Sequence, residues 1–213
     1  HPATLDDYAA MARASLTLFE ATSDTAYLRD AEVFVETVDR YHGDPNGAYF
    51  FAAEDTPNLI TRTKNANDHA TPSGNGTLVD VFARLFYLTG NSDYRDRADN
   101  IVRTFAGEVA RNFFPLSTLI NASEFLDHGQ QLVVVGGRNE PETSALLREI
   151  ENHSLPDRIL SVVDRPEDLP PTHPATGKDR VDGKPALYIC EGPVCGLPIT
   201  DPAALGAAIA GTS

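Results

Sequence analysis

Apolar residues recur at the three- and four-residue spacing of amphipathic helices throughout the first half of the chain. The first such segment is predicted to be a helix over residues 4–21, opened by a capping box of Thr4 and Asp7. Later segments with the same spacing are predicted as helices over residues 24–42, 71–88, 92–110 and 115–126. Residues 48–55 (AYFFAAED) are predicted as a short strand or hairpin arm.

The helices are predicted to form a repeat of two-helix hairpins. At one constant offset Tyr27 corresponds to Tyr94 and the segment LFEATSDTAYLRDA corresponds to LFYLTGNSDYRDRA. Each segment contains the end of one helix, a polar turn and the start of the next helix. Repeated hairpins bury their apolar faces on one another, in either an open solenoid or a closed toroid.

The second half has the pattern of a small α/β module. Its segments are predicted in the order strand (130–137), helix (140–152), strand (158–164), strand (186–192) and helix (201–211). The β-α-β step implies a parallel strand pair with a right-handed crossover. We therefore predict a mainly α fold: helical hairpins over residues 1–128, followed by a short β-α-β-β-α unit over residues 129–213.

The net charge of −14 indicates which partners the surface disfavours. Nucleic acids and anionic membranes would be repelled, so neither is predicted as a partner. Lysine occurs only at Lys64, Lys178 and Lys184, against fourteen arginines and nineteen aspartates. This balance suggests a halophilic surface, because high salt screens repulsion between acidic side chains. Acidic drift without such adaptation is the alternative.

If the surface is adapted to salt, the free energy of unfolding should fall in dilute buffer and recover in concentrated potassium chloride. Urea unfolding across a salt titration measures this dependence. Full stability in dilute buffer would contradict the halophilic interpretation.

The two cysteines, Cys190 and Cys195, are too few for a disulfide framework and fit a reducing compartment, so a cytoplasmic location is predicted. Four residues separate them, whereas thioredoxin-type redox pairs have two. Two structural thiols are the favoured interpretation, and a redox pair is the alternative. No metal site is predicted, since the histidines lack ligand spacing. No cofactor is predicted either, because the pair Gly136-Gly137 lacks nucleotide-motif spacing.

The strongest candidate site is the stretch NDHATPSGNG, which leads into the third predicted helix. Thr71 is predicted to cap that helix, with Pro72 at its first position. Gly74 and Gly76 then cost the first turn about 1 kcal/mol each relative to alanine. Glycine at these positions lets a ligand or another segment approach the backbone closely.

Asp68 is the candidate catalytic residue of this stretch, as a general acid or base before the free amides of the helix start. Six side chains are candidates for binding a polyol or balancing its charge: Arg62, Lys64, Ser73, Asn75, Asp6 and Tyr8. A carboxylate pair of Asp6 and Asp68 would suit glycoside chemistry. The alternatives are a buried polar network that fixes the loop, and plain helix capping by the acids of LDDYA.

Aromatic residues offer a second, weaker signal. Tyr49, Phe50 and Phe51 are candidates for a stacking wall against a sugar ring, although alternate packing into the core is favoured. Phe113 and Phe114 are predicted to lie in the core.

The motifs LDDYAAM, GAYFF, TRTKNANDHATPSGNG, VVVGG and DGKPALYICEGPVC together resemble a known family. The chain looks like the C-terminal part of the thioredoxin-domain proteins related to spermatogenesis-associated protein 20, with ATPSGNG as the most specific block. The resemblance implies an N-terminal thioredoxin-like domain and earlier hairpins outside this chain. It also implies an α/α toroid similar to N-acylglucosamine 2-epimerases and six-hairpin glycosidases. Members commonly have glycine where His69 stands.

These expectations combine into two functional hypotheses. The first is a fragment of a carbohydrate-related toroid protein that binds a sugar-like small molecule at Asp68. The second is a non-catalytic scaffold that presents a substrate or partner to the thioredoxin-like domain.

Overall fold

The computed structural model describes residues 3–168, 171–192 and 194–210. The protein is mainly helical, with a small four-stranded mixed sheet. The described residues up to 86, together with 91–127, form one compact unit, and residues 87–90 with those from 128 onwards form a second. Among these residues, no helix is both long and apolar enough to cross a bilayer.

Five helices follow the apolar periodicity of the first half. They are α1 (Leu5–Thr22), α2 (Thr25–His42), α3 (Gly74–Thr89), α4 (Ser92–Arg111) and α5 (Ser117–His128), the last preceded by a 3₁₀ turn (Phe114–Leu116). The predicted capping box before α1 is confirmed, since the Thr4 amide donates to the Asp7 carboxylate (2.7 Å). A carboxylate there also suits the positive end of the helix dipole.

The α1–α2 and α3–α4 connections have the same conformation. Ser23 and Gly90 each take left-handed backbone angles, with φ of 61° and 71°. The next residue in each case, Asp24 or Asn91, caps the following helix by accepting from an amide two positions on. The sequence repeat therefore corresponds to a repeated turn, in which a left-handed residue ends one helix and an acceptor side chain starts the next.

The connection between α2 and α3, residues 43–73, contains no strand, so the strand predicted over residues 48–55 is wrong. Its one ladder-like contact is an isolated bridge between Gly43 and Tyr49. Elsewhere its backbone groups pair singly with different segments: the Phe51 amide donates to the Thr63 carbonyl, and the Phe51 carbonyl accepts from the Leu5 amide. The apolar, aromatic run AYFFAA favours a strand by its composition, but among the described residues no continuous partner strand lies alongside.

The second unit contains the mixed sheet. Its elements are β1 (Gln130–Val135), α6 (Pro141–Glu151), β2 (Arg158–Val163), β3 (Ala186–Glu191), β4 (Val194–Cys195) and α7 (Leu205–Ala210). The strand order is β2-β1-β3-β4, with β1 and β2 parallel, as predicted, and the other pairs antiparallel. The sequence did not predict β4. The closing helix begins as a 3₁₀ turn (Pro202–Ala204) capped by Asp201.

Each unit buries its own apolar core. In the first unit the fully buried side chains include Leu5, Leu16, Leu78, Phe82, Leu85, Ile101 and Leu119. In the second unit one cluster of buried side chains joins the sheet to its helices: Leu132, Val134, Leu146, Ile150, Leu160, Leu187, Ile189 and Leu205. The alternate strand positions Val133 and Val135 pack on Ala175. The sheet is thus covered on both faces, as buried β-branched runs require.

Candidate functional site

The helix α3 begins with Ser73 as its N-cap, two residues later than the sequence predicted. The Ser73 hydroxyl accepts a hydrogen bond from the Gly76 amide (3.2 Å), and its carbonyl accepts from the Thr77 amide (2.8 Å). Thr71, the predicted cap, instead lies in a turn in which its carbonyl accepts from the His69 amide (3.1 Å). The prediction was wrong because serine and threonine are both good caps, and only the surrounding fold selects between them.

Asp68 joins the starts of two helices. One carboxylate oxygen accepts from the Ser73 amide (2.9 Å) before α3. The other accepts from the Thr118 amide (2.8 Å) and the Ser117 hydroxyl (3.0 Å) at the start of α5. Burial tends to raise the pKa of this carboxyl, but the hydrogen bonds together outweigh burial and hold the pKa below its ordinary value. Asp68 is therefore an ionised cap with both oxygens engaged.

Asp6 reaches the same helix start from the first turn of α1. Its carboxylate accepts from the Gly74 amide (2.9 Å), and within the described ranges of the chain no other group donates a hydrogen bond to it. Burial raises the pKa of Asp6, and the nearby negative charge of Asp7 raises it further. The hydrogen bond from the Gly74 amide and the charge of His69 lower the pKa, but they offset only part of the rise. A half-buried carboxyl with a raised pKa and unused acceptor capacity suits general acid–base chemistry.

The two carboxyls accept from consecutive amides, those of Ser73 and Gly74, and their pKa values are displaced in opposite directions. In acid–base sites such a division lets one carboxyl carry the proton while the other carries the charge. Here Asp6 has the raised pKa and Asp68 the lowered one. The sequence analysis predicted Asp68 as the catalytic residue; in the structure both Asp68 oxygens accept from helix starts, whereas Asp6 accepts from one amide.

The two costly glycines of α3 are required by close packing of the chain against itself. A side chain at Gly74 would place its Cβ 2.5 Å from the Asp6 carboxylate and 2.8 Å from Leu5 Cγ. At Gly76 it would meet the Ser73 hydroxyl at 2.8 Å and the Leu119 amide nitrogen at 3.0 Å. The starts of α1 and α5 therefore approach the first turn of α3 to distances that only glycine allows.

The predicted polyol ligands Ser73 and Asn75 are both buried, at 4% and 1% exposure. The Asn75 side chain accepts from the Tyr49 amide (3.0 Å) and donates to the Tyr49 and Asn65 carbonyls (both 2.9 Å). The Asn75 side chain thus makes the hydrogen bonds to the Tyr49 backbone that a neighbouring strand would otherwise make. The polar groups of Ser73 and Asn75 are used inside the fold, where they hold the loop and the helix start together.

Arg62 and Lys64 also hold this connection. The Arg62 guanidinium donates to the Tyr41 (2.7 Å) and Ala52 (3.0 Å) carbonyls, and Lys64 donates to the Asp44 carboxylate (2.7 Å). Both cationic groups lie over the Phe50 ring, with Arg62 Cζ 4.2 Å and Lys64 Nζ 5.2 Å from its centre. Among the described residues, neither cation contacts Asp68, whose charge is instead balanced by amide dipoles.

The aromatic side chains divide between core and surface. Tyr8 is half-buried, with its ring 5.7 Å from the His42 ring. Tyr49 is buried, whereas Phe51 is 39% exposed. The prediction that Phe113 and Phe114 lie in the core is wrong: they are 66% and 83% exposed. Both belong to the short connection between α4 and α5, which has too few residues to fold back over them.

These exposed aromatic rings belong to the segment that contacts Asp68. The Asp68 amide donates to the Pro115 carbonyl (2.7 Å), directly after Phe114. The connection is therefore fixed to the same loop that supplies the carboxylate. Two solvent-exposed rings therefore lie in the segment whose Pro115 carbonyl is bonded to the Asp68 amide.

A polar cleft of about 390 Å³ lies elsewhere in the first unit, between α2, the loop after it and α4. On its wall the Asp39 carboxylate accepts from the Tyr49 hydroxyl (2.7 Å) and the Arg97 guanidinium (2.6 Å). Asp44 and Asn100 also line it. This cleft was not predictable from sequence, because its residues come from three segments that individually have the patterns of solvated helix faces and a turn.

Cys190 and Cys195 form a disulfide, so the interpretation as two structural thiols is wrong. They are directly paired residues of the antiparallel strands β3 and β4. Cys190 is 1% exposed, whereas Cys195 is exposed on the edge strand. The disulfide was not predicted because β4 has only two residues, which are too few for a recognisable strand pattern.

In the described part of the chain, no group of three or more His, Cys, Asp or Glu side chains could hold a metal ion.

Comparison with known proteins supports the resemblance that the motifs indicated. No family model matches the chain. Spermatogenesis-associated protein 20 from Homo sapiens, Mus musculus and Rattus norvegicus is in each case 28% identical over 207 residues, covering 94% of the chain and 26% of the relative. The chain thus spans about a quarter of the length of these curated relatives. The similarity supports a relationship to them, and it carries no information on a thioredoxin-like domain or a closed toroid.

Proposed function

We propose that the first unit carries a binding site for a sugar-like polyhydroxy molecule at the start of α3. The observation that carries this proposal is the carboxyl pair. Asp6 is half-buried with a raised pKa, and it lies beside the ionised Asp68 on consecutive amides. A polyol offers both donors and acceptors to such a pair, so one carboxyl can accept from a hydroxyl while the other exchanges a proton with it.

In this proposal Asp6 is the general acid or base of an epimerase- or glycosidase-like reaction. Its unused acceptor capacity is available to a substrate hydroxyl or a glycosidic oxygen. Asp68 holds the start of α3 to the start of α5 and supplies a negative charge at a fixed position. The exposed rings of Phe113 and Phe114 offer an apolar surface for one face of a sugar ring.

The longer protein would complete this site. We propose that further helical hairpins close an α/α toroid around the start of α3, and that a thioredoxin-like domain precedes them. A toroid site draws side chains from several hairpins, so the isolated chain should bind sugars weakly and lack turnover. The cytoplasm is the proposed compartment.

A non-catalytic scaffold for the thioredoxin-like domain is the second candidate. It is favoured by the full engagement of Asp68 with two amides and one hydroxyl. The exposure of the adjacent residues Phe113 and Phe114 also favours it, because neighbouring large exposed apolar side chains are typical of surfaces that another protein part covers.

Replacing Asp6 by asparagine should separate binding from folding. The amide oxygen of Asp6→Asn can still accept from the Gly74 amide, so the free energy of unfolding at neutral pH should be unchanged or slightly higher. Sugar binding should weaken at least tenfold, since the charged carboxylate that accepts from a sugar hydroxyl is replaced by a weaker neutral amide acceptor. Chemical-shift titration of the chain with a panel of neutral and N-acetylated monosaccharides measures the affinity, and urea unfolding measures the stability.

Asp93→Asn is the matched control, because it removes an exposed acid from the first turn of α4 with the same change of charge. It should leave sugar affinity unchanged. If no sugar in the panel shifts resonances near Asp6 in the wild-type chain, the polyol proposal fails and the scaffold is preferred. Equal weakening by both variants would mean that only net charge matters, and it would also contradict an acid–base role for Asp6.

A further inference from the structure

The disulfide of the second unit joins two sulfurs in very different surroundings. Cys190 belongs to β3, which lies between β1 and β4, and it is 1% exposed. Cys195 belongs to the two-residue edge strand β4 and is exposed. Its neighbours Val194 and Leu197 are exposed as well, at 70% and 89%. A nucleophile from solvent can therefore approach one sulfur of the bridge and not the other.

The sheet edge does not depend on the bridge alone. Beside the disulfide, the Gly196 amide donates to the Ile189 carbonyl (2.8 Å). Further along, Leu187 and Ile199 exchange two hydrogen bonds of 2.8 Å and 2.9 Å. These bonds would keep the two cysteines facing each other after the sulfur–sulfur bond is broken. The arrangement combines an accessible sulfur with a backbone that holds the thiols ready to reoxidise.

We propose that the Cys190–Cys195 bridge is a thiol–disulfide exchange site that reacts with dithiols at Cys195. The thiolate of a dithiol attacks Cys195 Sγ, forming a mixed disulfide as the bond to Cys190 breaks and Cys190 leaves as a thiolate. The second thiol of the reductant then attacks the reductant sulfur that is bonded to Cys195. The reductant closes into a cyclic disulfide, and Cys195 is released as a thiolate. The dithiol is oxidised by two electrons to a disulfide, and its two protons end on the protein thiols.

This chemistry is independent of the carboxyl pair and would give the chain a second activity. In a reducing compartment a disulfide that persists is unusual, and those that form there are commonly transient and catalytic or redox-sensing. Exposed bridges are the ones that exchange, because attack requires access to a sulfur. The exposure of Cys195 places this bridge in that group.

The first test uses the oxidised chain under native conditions. Millimolar dithiothreitol should open the bridge without denaturant, and iodoacetamide labelling with mass spectrometry should then find two alkylated cysteines. Oxidised glutathione should restore the bridge, while the far-ultraviolet circular dichroism stays unchanged throughout. A bridge that resists dithiothreitol until the chain is unfolded would overturn the proposal and leave a permanent cross-link.

The second test identifies the attacked sulfur with a matched pair of variants. After reduction, Cys190→Ser retains Cys195 and should react with oxidised glutathione at least tenfold faster than Cys195→Ser, which retains the buried Cys190. Because Cys190→Ser buries a hydroxyl, a second measurement uses no variant: limited reduced glutathione is added to the oxidised wild-type chain. Tandem mass spectrometry should then find the mixed disulfide on Cys195. Equal rates, or glutathione on Cys190, would overturn the assignment.

Discussion

Replacing Gly90 by alanine is expected to destabilise the second unit by about 3 kcal/mol or more. The new Cβ would lie 1.9 Å from the Thr172 carbonyl oxygen, so the backbone must move. Such overpacking costs roughly 1–3 kcal/mol. The φ of 71° at this position adds about 1 kcal/mol for a residue with a side chain. Thermal unfolding followed by circular dichroism, with urea unfolding at 25 °C, measures the loss.

Two further glycines separate the causes. Gly177 has nearly the same φ, 75°, but no atom within 4 Å of its would-be Cβ, so Gly177→Ala should show the backbone cost alone. Gly107 lies exposed within α4 with open space around it, so Gly107→Ala should stabilise by up to about 1 kcal/mol. If Gly90→Ala lowers the free energy of unfolding no more than Gly177→Ala does, the close approach of Thr172 does not contribute to the loss, and this prediction is contradicted.

Asp68→Ala is expected to lower the free energy of unfolding by about 1–4 kcal/mol, the sum for two helix caps. It removes acceptors at the starts of both α3 and α5, and loss of one acidic cap costs roughly 0.5–2 kcal/mol. The Asp68 amide bond to Pro115 remains, so the loop keeps its backbone attachment. Urea unfolding at pH 7 measures the change. An effect within experimental error would contradict the assignment of Asp68 as a double cap.

The same variant has a defined pH dependence. Because the pKa of Asp68 is lowered in the folded chain, its stabilisation is fully present above the ordinary aspartate value of 3.8. It is lost as the pH falls through the lower, folded-state pKa. The difference between wild type and Asp68→Ala should therefore shrink on acidification. Asp24→Ala, which removes a single side-chain cap bond at α2, is the control and should cost about half as much.

The helices were predictable because the information that specifies them is local. The apolar spacing of α1, α2 and α4, and the capping box at Thr4, depend on residues within a few positions of one another. The parallel pairing of β1 and β2 followed from chain connectivity, because a helix lies between them. The repeated turn at Ser23 and Gly90 was visible as a repeat in sequence, although its left-handed geometry was not.

The connection before α3 was not predictable, because its partners are distant in sequence. Tyr49 bonds to a side chain at Asn75, and Phe51 pairs with both Leu5 and Thr63. The continuous apolar run at residues 48–53 has the composition of a strand but no strand to pair with among the described residues. The short strand β4 was not predicted for a related reason, because it is defined only by its antiparallel pairing with β3.

The candidate site was partly accessible from sequence. The cost of Gly74 and Gly76 marked the start of α3 as unusual, and the acids of LDDYA were recognised as possible neighbours. The division of roles between Asp6 and Asp68 was not accessible, because it depends on which amide each carboxyl meets. The exposure of Phe113 and Phe114 was also hidden, since a pair of phenylalanines gives no local sign of its surroundings.

Anchoring by side chains also determines where the long connection between α2 and α3 can change in length. Arg62, Lys64 and Asn75 fasten its two ends at separate points, which divides one large loop into shorter closed segments. Ile60 is fully exposed and lies inside the segment that Arg62 closes onto the Ala52 carbonyl, but it makes none of these anchoring bonds itself. Extra residues near Ile60 would add only the slowly growing entropy of a longer loop. Extra residues between Arg62 and Asn75 would shift those ties out of register, so that interval should be nearly fixed in length among related chains.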